Sequence, residues 1–257
     1  MRILVSLKLS YDVSQMKYDD ARLTPILDAV SRAIGEADRC GLEEALRLRE
    51  RLGGRVDGLT IGSSKSHRKM AMDAYAMGVD KMYIIEVDRY DELSIPSMAR
   101  IITGFVKRYG PYDLIIGGSA SQDTHMGILL PAVSSMLGLP IIVGADRVDV
   151  GDDGSFIIEC TYEDGRYRYS VRPPFVLTVT SEINEPRIPT IRDILKAKKM
   201  GFELIDAGTL VDRVDYVDVL GVEKHIVERR RVKIYALTEE DIEEAVDKIV
   251  EVIFGGE

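Results

Sequence analysis

The sequence predicts an α/β fold built on a doubly wound, mostly parallel sheet, with a β-meander and an extended C-terminal arm. Three observations support this prediction. Short apolar runs alternate with helical patterns of about ten to fifteen residues as far as residue 137, which is the order of βαβ units. From residue 144 the pattern changes to period two, with D-D-G and D-G turns. After residue 200 the regular alternation is lost.

The first half of the chain reads as strands separated by helices. Residues 2–7, R-I-L-V-S-L, form a continuous β-rich run, typical of a strand buried on both faces of a parallel sheet. Residues 41–52 place leucine and alanine on one face and stop at two glycines, which predicts an amphipathic helix. The other predicted elements here are strands at 55–61, 82–87 and 112–117 and helices after Ser63, at 96–109 and at 128–137.

The second half reads as a meander followed by one more buried strand. Period-two segments at 147–150, 156–162 and 166–171 predict three antiparallel strands, with their tyrosines paired on the sheet surface. Residues 175–180 predict the last buried strand. Residues 10–38 are polar and irregular, with an apolar-periodic patch at residues 26–34.

Composition excludes several classes of function. The chain has 257 residues, a formal net charge of −9 and no tryptophan, which argues against nucleic acid as the main partner. It has no apolar run of about 18 residues, so we expect no membrane span. With only Cys40 and Cys160, we expect a reducing cytoplasm and no disulfide framework. The sequence has no metal-ligand spacing, nucleophile elbow or G-x-G-x-x-G, and so predicts no autonomous active site.

Residues 118–127, G-S-A-S-Q-D-T-H-M-G, follow a predicted strand at the edge where doubly wound sheets bind ligands. Small residues let a ligand approach the backbone, and the free amides at the start of the next helix favour a phosphate. The same residue types also occur as plain helix caps. His125 would contact phosphate when protonated, or else be a solvated loop residue, and both interpretations stay open here.

A second unusual stretch is residues 181–200, S-E-I-N-E-P-R-I-P-T-I-R-D-I-L-K-A-K-K-M. Its two prolines fix φ and disfavour helix in the residues before them, which predicts a stiff extended loop followed by a helix. Ile183, Ile188 and Ile191 stand among charged residues. They either fold back onto the core of the protein or form an exposed docking anchor.

The segments I-N-E-P-R, P-T-I and I-L-K-A-K-K closely resemble the signature of the beta subunit of electron-transfer flavoproteins. The segment A-M-G-V-D at residues 76–80 is similar to the same family. The resemblance covers about residues 1–200 and implies a Rossmann-like, adenine-nucleotide-binding α/β domain there. Residues 181–200 would be its recognition loop, and residues 201–257 would form an arm and a helix that pack on a partner subunit.

In that family the recognition loop anchors the carrier on its dehydrogenase partner through one exposed leucine, which corresponds to Ile191. The resemblance implies that the contact is flanked by charged residues: Glu185, Arg187, Lys196 and Lys198.

The resemblance also implies that this subunit binds AMP structurally. The implied cofactor-binding residues are Ser6, Lys8, Asp38, Gly62, Gly118, Ser119, Asp123, Thr124, His125, Met126 and Gly127. Gly118 and Asp123 keep the family's residue types, whereas Ser119 and Ala120 replace its usual lysine and glutamine. Two apolar residues at 128 and 129 replace polar phosphate contacts, so we expect weaker binding or a different ligand.

The function implied is the small subunit of a heterodimeric electron carrier. It would support the FAD of an alpha subunit, dock on acyl-CoA or related flavin dehydrogenases and relay electrons towards the quinone pool. One alternative is a bifurcating member of the family, with a second FAD in this subunit and NADH as electron donor. Another is a nucleotide-binding sensor or adenylate-transferring enzyme, although only Asp123 and His125 lie where catalytic groups would be needed.

Overall fold

The computed structural model describes residues 1–19, 24–27, 30–218, 220 and 238–254. The chain divides into two compact units, Met1–Val222 and Glu223–Glu257. The first is a mixed nine-stranded sheet with helices on both faces. The described part of the second is a single helix.

The strands are β1 Arg2–Ser6, β2 Leu9–Tyr11, β3 Arg32–Ile34, β4 Arg55–Gly62, β5 Lys81–Glu86, β6 Leu114–Gly118, β7 Ile141–Val150, β8 Phe156–Tyr162, β9 Gly165–Val171, β10 Phe175–Val179 and β11 Glu203–Asp206. The helices are α1 Glu36–Leu52, α2 Ser64–Met77, α3 Ile95–Tyr109, α4 Leu129–Leu137, α5 Ile191–Ala197 and, in the second unit, α6 Glu239–Phe254. None of these described helices is long and apolar enough to cross a bilayer.

The strand order of the large sheet is β11-β5-β4-β1-β6-β10-β7-β8-β9, and β2 and β3 form a separate antiparallel pair. Strand β1 pairs in parallel with β4 on one side and β6 on the other. The chain runs outward from β1 to β4 and β5, then crosses back to β6. The topological switch point therefore lies between the carboxyl ends of β1 and β6, and the predicted doubly wound fold is confirmed.

Two hydrophobic cores lie on opposite faces of the sheet. Ile3 and Val5 of β1 belong to the core beneath α1 and α2, whereas Leu4 belongs to the core beneath α3 and α4. All three side chains are fully buried. Because successive side chains of a strand point to opposite faces, the apolar run at the start of the chain is buried on both sides, as predicted.

Helix α1 begins earlier than predicted. We expected an irregular segment as far as residue 38 and a helix from residue 41, whereas α1 starts at Glu36. Glu36 and Asp38 lie in its first turn, where carboxylates interact favourably with the helix dipole. Gly41, which resembles a helix start in the sequence, lies inside α1. A glycine is suitable at this position because the helix packs close to the sheet. A Cβ at that position would lie 3.3 Å from the carbonyl carbon of Gly117.

The predicted C-terminal arm also needs correction at its start. We expected an extended arm from residue 201, but Glu203–Asp206 forms β11 and pairs in parallel with β5 at the edge of the sheet. Ile205 is buried there against the second core. The middle of the predicted arm, residues 221–237, lies outside the described residues. Strand β7 likewise begins at Ile141 rather than at residue 147, because its first part pairs in parallel with β10 before the meander begins.

A buried ionic cluster joins the amino ends of three neighbouring strands. The Asp57 side chain is fully buried in β4 and accepts hydrogen bonds from Arg2 at 3.1 Å, Arg55 at 2.6 Å and the Tyr112 hydroxyl at 3.1 Å. Burial and the negative charge of Asp57 raise the pKa of Tyr112 above its ordinary value. Loss of this carboxylate would leave the buried Tyr112 hydroxyl without its acceptor, and the partly exposed Arg2 and Arg55 without their carboxylate partner.

We expect Asp57→Ala to lower the free energy of unfolding by about 2 to 3 kcal/mol, because the buried Tyr112 hydroxyl loses its acceptor while the partly exposed Arg2 and Arg55 regain hydration. Urea unfolding followed by circular dichroism measures this change. Asp149→Ala is the matched control, since it removes an exposed ion pair with Arg51 and should leave stability nearly unchanged. Equal effects of the two substitutions would contradict the role assigned to Asp57.

Candidate functional site

The crevice at the switch point is closed by one carboxylate from the first turn of α1. Asp38 Oδ2 accepts the backbone amide of Lys8, just beyond β1, at 2.9 Å. Its Oδ1 accepts the amide of Gly118, the last residue of β6, at 2.8 Å. Ser6 ends β1 beside them. Asp38 thus joins the two strand ends between which doubly wound sheets bind their ligands.

Burial shifts the titration of Asp38. It raises the pKa of the carboxyl to about 6, although the amides of Lys8 and Gly118 act in the opposite direction. Position 118 has no room for a side chain, since a Cβ would lie 2.8 Å from Asp38 Oδ1 and 2.9 Å from the Cβ of Ala37. The glycine therefore allows the contact between β6 and α1.

The Lys8 ammonium is bound by the loop that follows β6. Its Nζ lies 2.5 Å from Asp123 Oδ1, 3.2 Å from Ser121 Oγ and 3.4 Å from Thr124 Oγ1. Burial raises the pKa of Asp123, but hydrogen bonding and the positive charge of Lys8 outweigh it, so the pKa lies below its ordinary value. Lys8 and Asp123 therefore form an ion pair between β1 and the loop. Lys8 and Asp123 are both among the predicted cofactor-binding residues, whereas Ser121 is not.

The end of this loop presents backbone donors. Ser119 donates its amide to Val179 O at 2.8 Å, and His125 donates to Ser121 O at 2.9 Å. Within the described residues, the amides of Met126 and Ile128 make no hydrogen bond, and Ile128 gives α4 no side-chain cap. His125 and Gly127 have φ angles of 51° and 63°. The His125 side chain is exposed, and its predicted phosphate contact stays a prediction.

A small pocket lies between the β2–β3 pair, α2 and the segment after β5. It has a volume of about 230 Å³ and is lined by Leu9, Arg32, Ala33, Ser66, Lys69, Met70, Asp73 and Tyr90. Gly62, the last residue of β4, contacts the ring of the buried His67 so closely that a Cβ there would lie 1.9 Å from His67 Cε1. Burial lowers the pKa of His67 and favours its neutral form. Neither Arg32 nor Tyr90 is among the predicted site residues, because each lies in a segment with no recognisable motif.

The predicted recognition loop leaves the end of β10 and reaches α5. Ile183 packs against the first core, whereas Ile188 is 91% exposed and Ile191 is 79% exposed. The two interpretations of these isoleucines therefore apply to different residues. Thr190 and Asp193 cap α5 reciprocally, which places Ile191 at its first position.

The charged residues of this loop differ in their partners. Lys196 and Lys198 are exposed, and neither forms an ion pair with any other described residue. Arg187 instead contacts Glu43 and Glu50 of α1, each at 2.7 Å. Glu185 is exposed, and its carbonyl oxygen accepts a hydrogen bond from Arg47 at 3.2 Å.

The fold and the crevice define a Rossmann-like, doubly wound α/β domain with its candidate ligand site at the switch point. A family model described as the electron transfer flavoprotein domain matches residues 26–209. The chain belongs to the electron transfer flavoprotein family.

The similar curated proteins are named as beta subunits of electron transfer flavoproteins. The subunit from Thermoanaerobacterium thermosaccharolyticum is 28% identical over 197 residues, which cover 77% of this chain and 75% of the relative. The subunit from Bacillus subtilis is 26% identical over 82% of this chain and 80% of its own length. That from Megasphaera elsdenii is 25% identical, with coverage of 82% and 80%.

The raised pKa of Asp38 makes stability depend on pH in a stated direction. A folded-state pKa of about 6 lies above the ordinary value of 3.8, so the native state binds the proton first. The resulting stabilisation is fully present below about pH 4 and lost as the pH rises through about 6. We expect this residue to contribute about 2 kcal/mol to the free energy of unfolding at low pH. This value is reduced for solvent screening, because Asp38 is partly solvent-accessible.

We would measure urea unfolding of the wild type and of Asp38→Asn at about pH 7.5 and at about pH 4.5. The comparison isolates this contribution, because asparagine does not titrate. The wild type should gain stability relative to the variant as the pH falls. The carbon-13 chemical shift of the Asp38 side-chain carboxyl, followed against pH, gives its pKa directly. A pKa at the ordinary value for aspartate would contradict the prediction.

Proposed function

We propose that this chain is the beta subunit of a heterodimeric electron transfer flavoprotein. It binds AMP structurally, supports the FAD of an alpha subunit and docks on an acyl-CoA or related flavin dehydrogenase. The observation that carries the proposal is the apolar tip of the loop before α5, where Ile188 and Ile191 are exposed on a segment whose flanks are held by the fold. Exposed apolar residues on an ordered loop are typical of a protein docking site.

The nucleotide proposal is supported by groups that fit a phosphate. The amides of Met126 and Ile128 are free within the described part of the chain, and they lie at the start of α4, where the helix dipole favours an anion. Lys8 is the nearby cation, but Asp123 already neutralises it. A phosphate would therefore compete with Asp123 for Lys8, which supports weak or selective binding.

The flavin of the alpha subunit would supply the electron-carrying chemistry. This chain would contribute binding and orientation: its nucleotide would order the loop at residues 118–127, and its docking loop would bring the dehydrogenase close. Arg192, Lys196, Lys198 and Lys199 give the docking region positive charge. A positive rim favours an acidic partner surface and a rate of association that falls with salt.

The proposal is tested by co-expressing the chain with an electron transfer flavoprotein alpha subunit and identifying the extracted nucleotides by mass spectrometry and absorbance. One AMP per beta chain and one FAD per heterodimer support it. FAD retained by the isolated beta chain would instead indicate the bifurcating form. Absence of any nucleotide from the heterodimer would contradict the binding proposal.

We expect Lys8→Ala to weaken AMP binding at least about tenfold, because it removes a charge-assisted contact and leaves the Asp123 carboxylate unpaired beside the phosphate. Calorimetric titration of the nucleotide-stripped heterodimer with AMP measures the change. Lys107→Ala, at the exposed end of α3, is the control. Unchanged affinity in the Lys8 variant would place the phosphate elsewhere.

We expect Ile191→Ala to raise the KM for the carrier about tenfold in electron transfer from an acyl-CoA dehydrogenase, since truncating an apolar docking anchor costs more than about 1 kcal/mol of binding free energy. FAD content should not change. Stopped-flow absorbance of the flavin follows the reaction. Met136→Ala, which truncates an exposed apolar residue on α4, should behave like the wild type. Equal rates in all three proteins would disprove the anchor.

A further inference from the structure

The docking loop is the recognition loop at residues 181–200, and its tip is residues 188–191. The tip is held in place by contacts elsewhere in the protein, not by its own packing. Ile188 and Ile191 are 91% and 79% exposed, so they add little to the core. Residues 184–190 have no regular secondary structure. Holding such a segment in one conformation costs about 1 to 2 kcal/mol per residue in backbone entropy, which contacts elsewhere must offset.

The strongest of these contacts is made by Arg187 with Glu43 of α1. Glu43 Oε2 accepts the Arg187 backbone amide at 3.2 Å and Nε at 2.7 Å, and Oε1 accepts Nη2 at 3.2 Å. Arg187 Nη1 donates to Glu50 at 2.7 Å. The Glu43 side chain is only 4% exposed. A fork-shaped guanidinium held by two carboxylates is a geometrically specific contact, which a lysine does not reproduce.

Other contacts hold the same loop on both sides of its tip. Asn184 Nδ2 donates to Cys40 O at 3.0 Å and to Glu44 Oε2 at 3.1 Å, again on α1. Beyond the tip, Ala197 of α5 is buried in the first core. Tyr75 of α2 then donates to Gly201 O at 2.6 Å. The segment between these attachments is the part that projects.

We infer that Arg187 is a positioning residue: Glu43 and Glu50 hold its guanidinium on α1 and so fix the loop that presents Ile188 and Ile191 to a dehydrogenase. This inference rests on the proposed docking function. It assigns Arg187 a role different from the free positive charge expected from the sequence, because its guanidinium is already bound by two carboxylates of α1. The free charge of the docking region comes from Arg192 and Lys196 of α5 and from Lys198 and Lys199 after it.

Glu43 separates the two roles experimentally. It is buried beneath Arg187 and also accepts a hydrogen bond from Arg47 at 2.8 Å. Arg47 in turn donates to the Glu185 carbonyl, so both contacts of Glu43 support the loop. If Arg187 acted as a docking charge, Arg187→Lys would preserve binding, and Glu43→Gln would leave it unchanged or strengthen it. In the positioning role both substitutions disturb the loop and weaken docking.

The experiment uses the flavin-loaded heterodimer in two measurements. Hydrogen exchange of the Arg187 and Thr190 amides, which Glu43 and Asp193 accept, is followed without any dehydrogenase. Steady-state electron transfer from an acyl-CoA dehydrogenase gives KM and kcat for the carrier. We expect Glu43→Gln and Arg187→Lys each to speed exchange in the loop about tenfold and to raise KM several-fold, with kcat nearly unchanged. Arg51→Gln, which breaks an ion pair of α1 with Asp149 away from the loop, should change neither quantity.

The outcomes distinguish the inference from the proposal beneath it. The inference is overturned if both loop variants exchange as slowly as the wild type or keep its KM while Ile191→Ala raises KM. The docking function would then remain intact. If Ile191→Ala also leaves KM unchanged, the docking function itself falls. Should Glu43→Gln fail to fold, Arg187→Lys carries the same test, since its charge is retained and only the fork geometry is lost.

Discussion

The close approach of helix α1 to the central sheet is the constraint on which both candidate sites depend. Gly41 allows this approach, because a Cβ there would crowd the backbone of Gly117 and the side chain of Val179. With the helix so placed, its first turn brings Asp38 to the switch point. Its next turns bring Cys40, Glu43 and Glu44 beneath the docking loop. One helix therefore positions the crevice residues and the loop before α5.

The two sites share an electrostatic arrangement. In each, a cation that the sequence marks for an external partner is bound by a carboxylate of the same chain: Lys8 by Asp123, and Arg187 by Glu43. Such pairs order the backbone around them at the cost of lowering the positive charge offered to a ligand. The crevice then relies on backbone amides, and the docking loop relies on exposed isoleucines.

Much of the fold followed from pattern alone. The continuous apolar run at the start of the chain, the alternation as far as α4 and the period-two meander all correspond to observed elements. The misplacements have a common cause. The start of α1, the first part of β7 and the whole of β11 depend on neighbours distant in sequence. In the sequence Gly41 resembles a helix boundary, but it lies inside α1 where the helix packs on the sheet. Glu203–Asp206 resembles a loop, but it forms a strand because it pairs with β5.

The sequence by itself determined the fold class, the family and the identity of the loop that carries exposed isoleucines, because periodicity and a specific local motif are properties of neighbouring residues. Only the tertiary structure decided which charges are free. Lys8 and Asp123 lie 115 positions apart, and Arg187 and Glu43 lie 144 positions apart. Their pairing depends on how β1, α1 and two loops meet at one edge of the sheet. These ion pairs are not predictable from local sequence patterns, because they form between residues that are close in space and distant in sequence.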